Sequence, residues 1–428
     1  MSHIVFRCFI VLLLLLPAGA EAVMELSVNP GSVSMDVIVG GTVSRALTIS
    51  NTGPMVHSYS LMTIPTQVLP DLKSYYRFNG ELEDLVGVGT AGNANASYAA
   101  DRNDNAQSAL SFNGTSALQT DDPGLENTFS VSFWASPDNS GTPIAQGYYS
   151  YGLNTSYLLG PDWGGTGIRA GFGIALIKEG IMLIEHAHGY MPCLLSYSAN
   201  LTGWHHYTVV FQNHHPTLYI DGLMVATGLV SQRQITYLSG TYGAFIYGSY
   251  AGRLDDLCIF NSALTSDQAL ALCQYTEGSR YSFQSAYGSV ESGQQTVAAL
   301  MMTDSSLPVG SYNDVLTLCQ RGPAPEYIQI PVSLDVVAFG PMAPQNVSVS
   351  KLADGDIRLQ WNPVTQNTNG EPISIGHYTI YASPATYPLP GYQVLGSSSD
   401  TWYVIDGDLL AGDRWFFYVK AESGMAGD

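Results

Sequence analysis

From Met24 to Met62 apolar and polar residues alternate in short runs, and turn residues such as Gly40-Gly41 and Asn51-Thr52-Gly53 cut the runs apart. In "RALTIS" (45–50) and "SYSLM" (58–62) a period of two sends one set of side chains to a core and the other to solvent, which predicts β-strands with one buried face. The same period returns in "FSVSFWASP" at Phe129, Val131 and Phe133, and the segments "GWHHYTVVF" and "PTLYIDGLMVATG" form a hairpin at Asp221-Gly222. Asp-Gly supplies the positive φ angles of a two-residue turn. Helical spacing is confined to a short stretch after "GRLDDLCIF", with a cap at Thr265 or Ser266. The chain is therefore expected to be all-β and built from several sandwiches.

The first alternating segment is too short to close a sandwich alone. Matching strands return at Tyr281–Val337, "YSFQSAYGSV…VSLDVV", more than 200 residues later. Residues 23–71 and 275–337 are thus expected to form one split domain, with residues 72–274 inserted as a second and residues 341–428 following as a third. Insertion at a loop is physically ordinary, because the ends of a domain often lie close together.

At the N-terminus Arg7 precedes the apolar run Cys8–Leu16, then Pro17 and the small residues ending at Ala20-Glu21-Ala22. The run is far below the roughly 20 residues that cross a bilayer, so residues 1–22 are expected to be a signal peptide cleaved after Ala22. Secretion or surface display follows, with no membrane insertion after cleavage. Acidic side chains outnumber basic ones 35 to 15, for a net charge of −20, so the field of the molecule repels phosphate backbones and anionic lipid surfaces. Nucleic acid is excluded as a partner on that ground.

Three resemblances rest on these segments. The split segments, with Pro30, Asn51-Thr52-Gly53, Leu307-Pro308, Gly310, Tyr312 and Ile330-Pro331-Val332, resemble immunoglobulin-like sandwiches of bacterial envelope proteins. The insert carries "YYRFNG", "SALSFNGT", "FSVSFWASP", "WHHYTVV", "LYIDG" and "GRLDDLCIFNSALT" in that order, and resembles the LamG-like jellyroll of the concanavalin A-like lectin/glucanase superfamily. The tail, with Trp361, Tyr378, Tyr381 and "WFFYVKA", resembles a fibronectin type III domain; only seven residues follow Ala421, so its seventh strand is expected to be missing.

The LamG-like resemblance implies a ligand face and a structural calcium ion. Its calcium residues map onto Asp84 and Gly87 in the loop after the first strand and onto Asp255 and Asp256 in the last strand. Ligand contacts are expected in the glycine-rich segment with Tyr148, Tyr149, Tyr151, Tyr157 and Trp163, where Tyr149, Tyr151, Tyr157 and Trp163 are the candidate binding residues. The fold also houses glycoside hydrolases, but the only dense acidic cluster, Glu81, Glu83 and Asp84, sits in a loop rather than as a carboxylate pair on one strand face. No catalytic residue is assigned. His205-His206 and His214-His215 are adjacent pairs, and neighbours on a strand point to opposite faces, so they are poor zinc chelators; His186 and His188 share a face but lack a third ligand. Four cysteines remain after signal cleavage, Cys193, Cys258, Cys273 and Cys319, which permit two disulfides in three arrangements or buried free thiols; Cys258–Cys273, flanking the helix, is the favoured pair. The expected function is binding or adhesion toward a glycan or a surface protein, with a structural stalk or a hydrolase as alternatives.

Overall fold

The computed structural model describes residues 24–150, 155–275, 280–302, 307–383, 393–407 and 415–423. The expected signal peptide, residues 1–22, lies outside them. The described chain is all-β, a set of packed sandwiches with one nine-residue α-helix and one short 3-10 turn. None of its helices is long and apolar enough to cross a membrane.

The host sandwich interleaves the two distant segments. One sheet runs in the order Leu26–Asn29, Val43–Asn51, Gln295–Met302, Tyr281–Gln284; the other runs Val33–Ile38, Glu326–Val337, Gly310–Gln320, His57–Met62, Tyr287–Val290. Leu47, Ile49, Leu61, Leu300, Leu316 and Leu334, drawn from both segments, are completely buried between the sheets. Each such side chain contributes about 1.5–3 kcal/mol by leaving water, so neither segment is stable without the other. The Asn51-Thr52-Gly53 turn also joins them: buried Asn51 accepts from Gly53 N at 2.8 Å and donates through Nδ2 to Met55 O at 2.6 Å and Val290 O at 2.8 Å.

The insert is a larger sandwich. Its first sheet has the order Leu223–Thr227, His215–Ile220, His205–Gln212, Thr128–Pro137, Ala251–Phe260, Ala109–Asn113, Ser97–Ala99, with Leu72–Tyr76 also on Ala251–Phe260. The second runs Cys193–Ser198, Gly180–His186, Arg169–Ile177, Tyr157–Leu159, Thr241–Tyr242, Ala117–Gln119, Gly92–Ala94, and Ile235–Leu238 lies parallel to Arg169–Phe172. The period-two residues pair as the pattern requires, Phe129 opposite Phe211, Val131 opposite Val209 and Phe133 opposite Tyr207. Phe129, Phe172 and Phe211 then form a ring cluster with centroids 5.2–5.4 Å apart. Asp221 and Gly222 take the expected left-handed turn, φ 50° and 77°.

The helix Ser266–Gln274 starts with a capping box between Thr265 and Gln268 and covers the outer face of the first sheet. There Leu264, Ala269 and Leu272 meet Tyr75, Cys258 and Phe260 of the insert and Met62, Val68 and Cys319 of the host. This shared core lies where the chain enters and leaves the insert. Arg321 of the host reinforces it, donating to Gly87 O at 2.8 Å and Glu83 at 2.9 Å.

The third unit has two three-stranded sheets packed around Trp361, whose ring meets the Tyr378 ring edge-on at 5.2 Å. The expected missing strand concerns residues after 423, outside the described ones. The unit's last described strand leans on the host: Glu422 lies 3.6 Å from Arg45, and Ser423 donates to Asp36.

Candidate functional site

The outer face of the insert's second sheet is not an open platform. Tyr157, Ala175, Ile177, Met182, Ile184 and Cys193 on this face are buried under Met191, Ile144, Phe245 and Tyr247. Tyr157, expected among the ligand contacts, is therefore a core residue. Its hydroxyl donates to Ser150 Oγ at 3.3 Å, its ring meets Phe245 edge-on at 4.8 Å, and burial pushes its pKa up to about 12. Tyr151 lies outside the described residues.

Tyr148, Tyr149 and Trp163 are instead carried to one end of the insert, where they are 70%, 49% and 60% exposed. Residues 147–150 run beside 191–193 as an added strand, with Gly147 N on Cys193 O and Cys193 N on Tyr148 O, both at 2.8 Å. The loop bearing Trp163 hangs on the neighbouring turn, through Gly164 N to His186 O at 3.1 Å and His188 N to Gly165 O at 2.9 Å. That loop lies flat on its strand because Gly173 has no side chain; a Cβ there would stand 2.5 Å from Pro161 Cδ. Both loops thus converge on the turn after His186.

The turn has a rigid base that sequence reasoning missed. Glu185 is wholly buried, and its carboxylate accepts from Tyr190 Oη at 2.8 Å, Ser231 Oγ at 2.9 Å and Thr236 Oγ1. Hydrogen bonds to a buried carboxylate offset its desolvation and hold its donors in place. The Tyr190 ring meets Tyr149 edge-on at 6.1 Å, and the Arg233 guanidinium stacks on Tyr190 at 4.2 Å. A lone acid inside the apolar run "GIMLIEH" was the available signal.

The residues expected to hold calcium are committed elsewhere. Asp84 is buried and accepts from Tyr75 N and Val86 N, both at 3.0 Å, closing its own turn next to Gly87. Asp255 and Asp256 face a cation of the chain itself: Arg102 lies 2.7 Å from Asp255 and 2.8 Å from Asp256, the second contact off the hydrogen-bond axis. Arg102 also stacks on Trp134 at 4.6 Å, and the Tyr75 hydroxyl donates to Asp256 at 3.0 Å. Burial works against the guanidinium's charge, but Asp256 and Asp255 outweigh it and raise its pKa. Among the described residues no group of three or more His, Cys, Asp or Glu is arranged to hold a metal ion. The donor set does not fit calcium.

Residues 112–269 match the family model Laminin_G_3, described as the concanavalin A-like lectin/glucanases superfamily. Residues 112–269 of the insert are a concanavalin A-like segment. No curated protein matches the chain. Among solved structures, domain 4 of AbnA, a GH43 extracellular arabinanase from Geobacillus stearothermophilus in complex with arabinotriose, is similar at 20% identity and a TM-score of 0.37, covering 48% of this chain and 98% of that one. The binding domain of Paraclostridial Mosquitocidal Protein 1 is similar at 13% identity and 0.35, covering 69% and 64%. A botulinum neurotoxin type C structure, described for its interaction with two ganglioside molecules, stands at 10% and 0.37, covering 84% and 95%.

The jellyroll's other reactive groups serve its framework. Glu81 pairs with Arg77 at 3.0 Å, and Glu83 accepts from Arg321 and from Thr90 Oγ1 at 2.7 Å. His205 and His206 face opposite sides of their strand, His205 paired with Asp221 at 2.8 Å and His206 tilted against Trp134 with ring centroids 5.3 Å apart. The Ser132 hydroxyl lies 2.9 Å from His206 Nε2, a nucleophile-and-base spacing. Burial and then Arg102 push this imidazole down to about 3, and the void beside it is about 10 Å³, so there is neither a base near neutrality nor room for a substrate. His215 bonds Gly228 O at 2.7 Å, His186 packs against Phe245 and Tyr247, and His188 is exposed.

No disulfide joins the described cysteines Cys193, Cys258, Cys273 and Cys319, which corrects the expected Cys258–Cys273 bridge. Cys258 is buried between the strand and the helix, whereas Cys273 sits over the hairpin, where a Cβ on Gly222 would be 3.4 Å from its own. The helix thus turns Cys273 toward the Asp221-Gly222 turn.

Proposed function

We propose that the protein is a secreted or surface-displayed binding protein whose jellyroll presents Tyr148, Tyr149 and Trp163 to a carbohydrate or protein ligand, the flanking domains acting as spacers. The observation that carries this reading is a set of three exposed aromatic rings on two loops hydrogen-bonded to the segment 186–193, with Tyr149 meeting Tyr190 of the buried Glu185–Tyr190–Ser231 base. Exposed aromatic rings held near one another stack on sugar faces or anchor protein interfaces at low entropic cost. The acidic surface, net −20, disfavours polyanionic ligands. A glycan array probed with the whole chain and with Trp163→Ala tests the reading. Because Trp163 is exposed, the variant should keep its melting temperature while losing about tenfold or more of any binding. Unchanged binding in Trp163→Ala and in Tyr149→Ala would overturn it.

A further inference from the structure

A cleft of about 690 Å³ opens where the jellyroll meets the host. The jellyroll contributes Asn79, Asn105 and Ser108, and the host contributes Ser282, Phe283 and Tyr287. Clefts of this size between domains are where small ligands bind most often.

Both walls are held in shape. On the host side Ser285 adopts φ 59°, its carbonyl accepts from the Tyr59 hydroxyl at 3.2 Å, and Ala286 O accepts from Leu61 N at 2.6 Å. On the jellyroll side the Asp101 carboxylate gathers Asn103 N and Asn105 N, both at 2.8 Å, and Asn105 Nδ2 at 2.9 Å. The chain passes from host to jellyroll at Asp71–Leu72, and the shared core beside that passage and the helix fixes one wall against the other.

The chemistry of the lining selects a ligand class. Arg77, the one cation among the described lining residues, is spent on Glu81 at 3.0 Å with side chains only 7% and 10% exposed, so an anion finds no uncommitted positive charge. A metal ion is no better served, since the Asp101 carboxylate accepts from its own loop and the Glu81 carboxylate from Arg77. What faces the cleft is amide and hydroxyl groups beside aromatic rings, with Tyr287 37% exposed and Phe283 half-buried. Amides and hydroxyls match the equatorial hydroxyls of a sugar, and a flat ring matches its C–H face.

We infer that this cleft is a second binding site, for a short neutral oligosaccharide, built jointly by the jellyroll and its host. It is separate from the aromatic rim at 148–163 and does not depend on it. A ligand here touches both domains, so its binding energy also resists their separation.

Calorimetric titration of the whole chain with cellotriose, xylotriose, maltotriose and N-acetylchitotriose, with trigalacturonate as an anionic control, tests the site. At least one neutral trisaccharide should bind and raise the melting temperature, and trigalacturonate should not. Ser108→Trp, which fills the cleft, and Tyr287→Ala, which removes its exposed ring, should each weaken that binding by about tenfold or more, while Val349→Ser, an exposed position on the third unit, leaves it within about twofold. Retained melting temperatures in the unliganded variants show that the fold survives. Absence of binding by all four neutral sugars, or binding unchanged in both cleft variants, would overturn the inference. Binding lost only in Trp163→Ala would overturn it too, while supporting the rim.

Discussion

His206 shows how far burial moves a single side chain. Held neutral with a pKa of about 3, it stays unprotonated in the fold where the unfolded chain takes up a proton near pH 6.5. Its contribution is thus fully present above pH 6.5 and is lost as pH falls from there toward 3, on the order of 5 kcal/mol in all. Buried Asp84 and Glu81, whose pKa values burial raises, act in the opposite sense, so the comparison must be with a variant. Denaturant unfolding of wild type and His206→Gln between pH 7 and 4 should show the steeper loss in wild type; equal slopes would remove His206 from the account. Asn51 is a second case. Asn51→Ala leaves Val290 O, Met55 O and Gly53 N without this partner, and should cost about 2–3 kcal/mol by the same measurement. Asn51 was legible as a turn residue. Tyr157 was misread because a tyrosine in a glycine-rich run looks alike whether it faces a loop-covered sheet or solvent.

Among the elements, alternation in Thr128–Pro137 and His205–Gln212 fixed which face of each is buried, and so the parity of their register, since a one-residue slip would turn an apolar set outward; it did not name the partner. The bulge at the other edge of the same strand, between Ser132 and Trp134, did not follow from it. Across that bulge Asp256 takes φ 48°, and Asp255 and Asp256 both turn to Arg102. Arg102 stands about 150 residues away in "ADRNDN", and no local period points it at a partner. Arg102→Ala strands two buried carboxylates and should cost about 3–5 kcal/mol. Wild-type melting should not shift between EDTA and calcium chloride, since the guanidinium already balances both acids. A calcium-dependent rise in wild type would show that the ion has a site after all.

In the whole molecule, host and insert share a core in which Met62, Val68 and Cys319 pack with Phe260, Leu264 and Leu272. Unfolding one exposes apolar surface of the other, so calorimetry should show one transition for the pair, and Arg321→Ala should lower it without splitting it. Two separated transitions would show that the shared core does not couple them. The all-β class and the concanavalin A-like segment at residues 112–269 were readable from sequence because period, turn chemistry and motif order are local or ordinal properties. What covers the jellyroll's outer face, which cation meets Asp255 and Asp256, why Cys258 and Cys273 stay apart, and the cleft between Ser108 and Tyr287 were decided only by the tertiary structure. Each depends on side chains that share no period and meet only when distant segments are packed together.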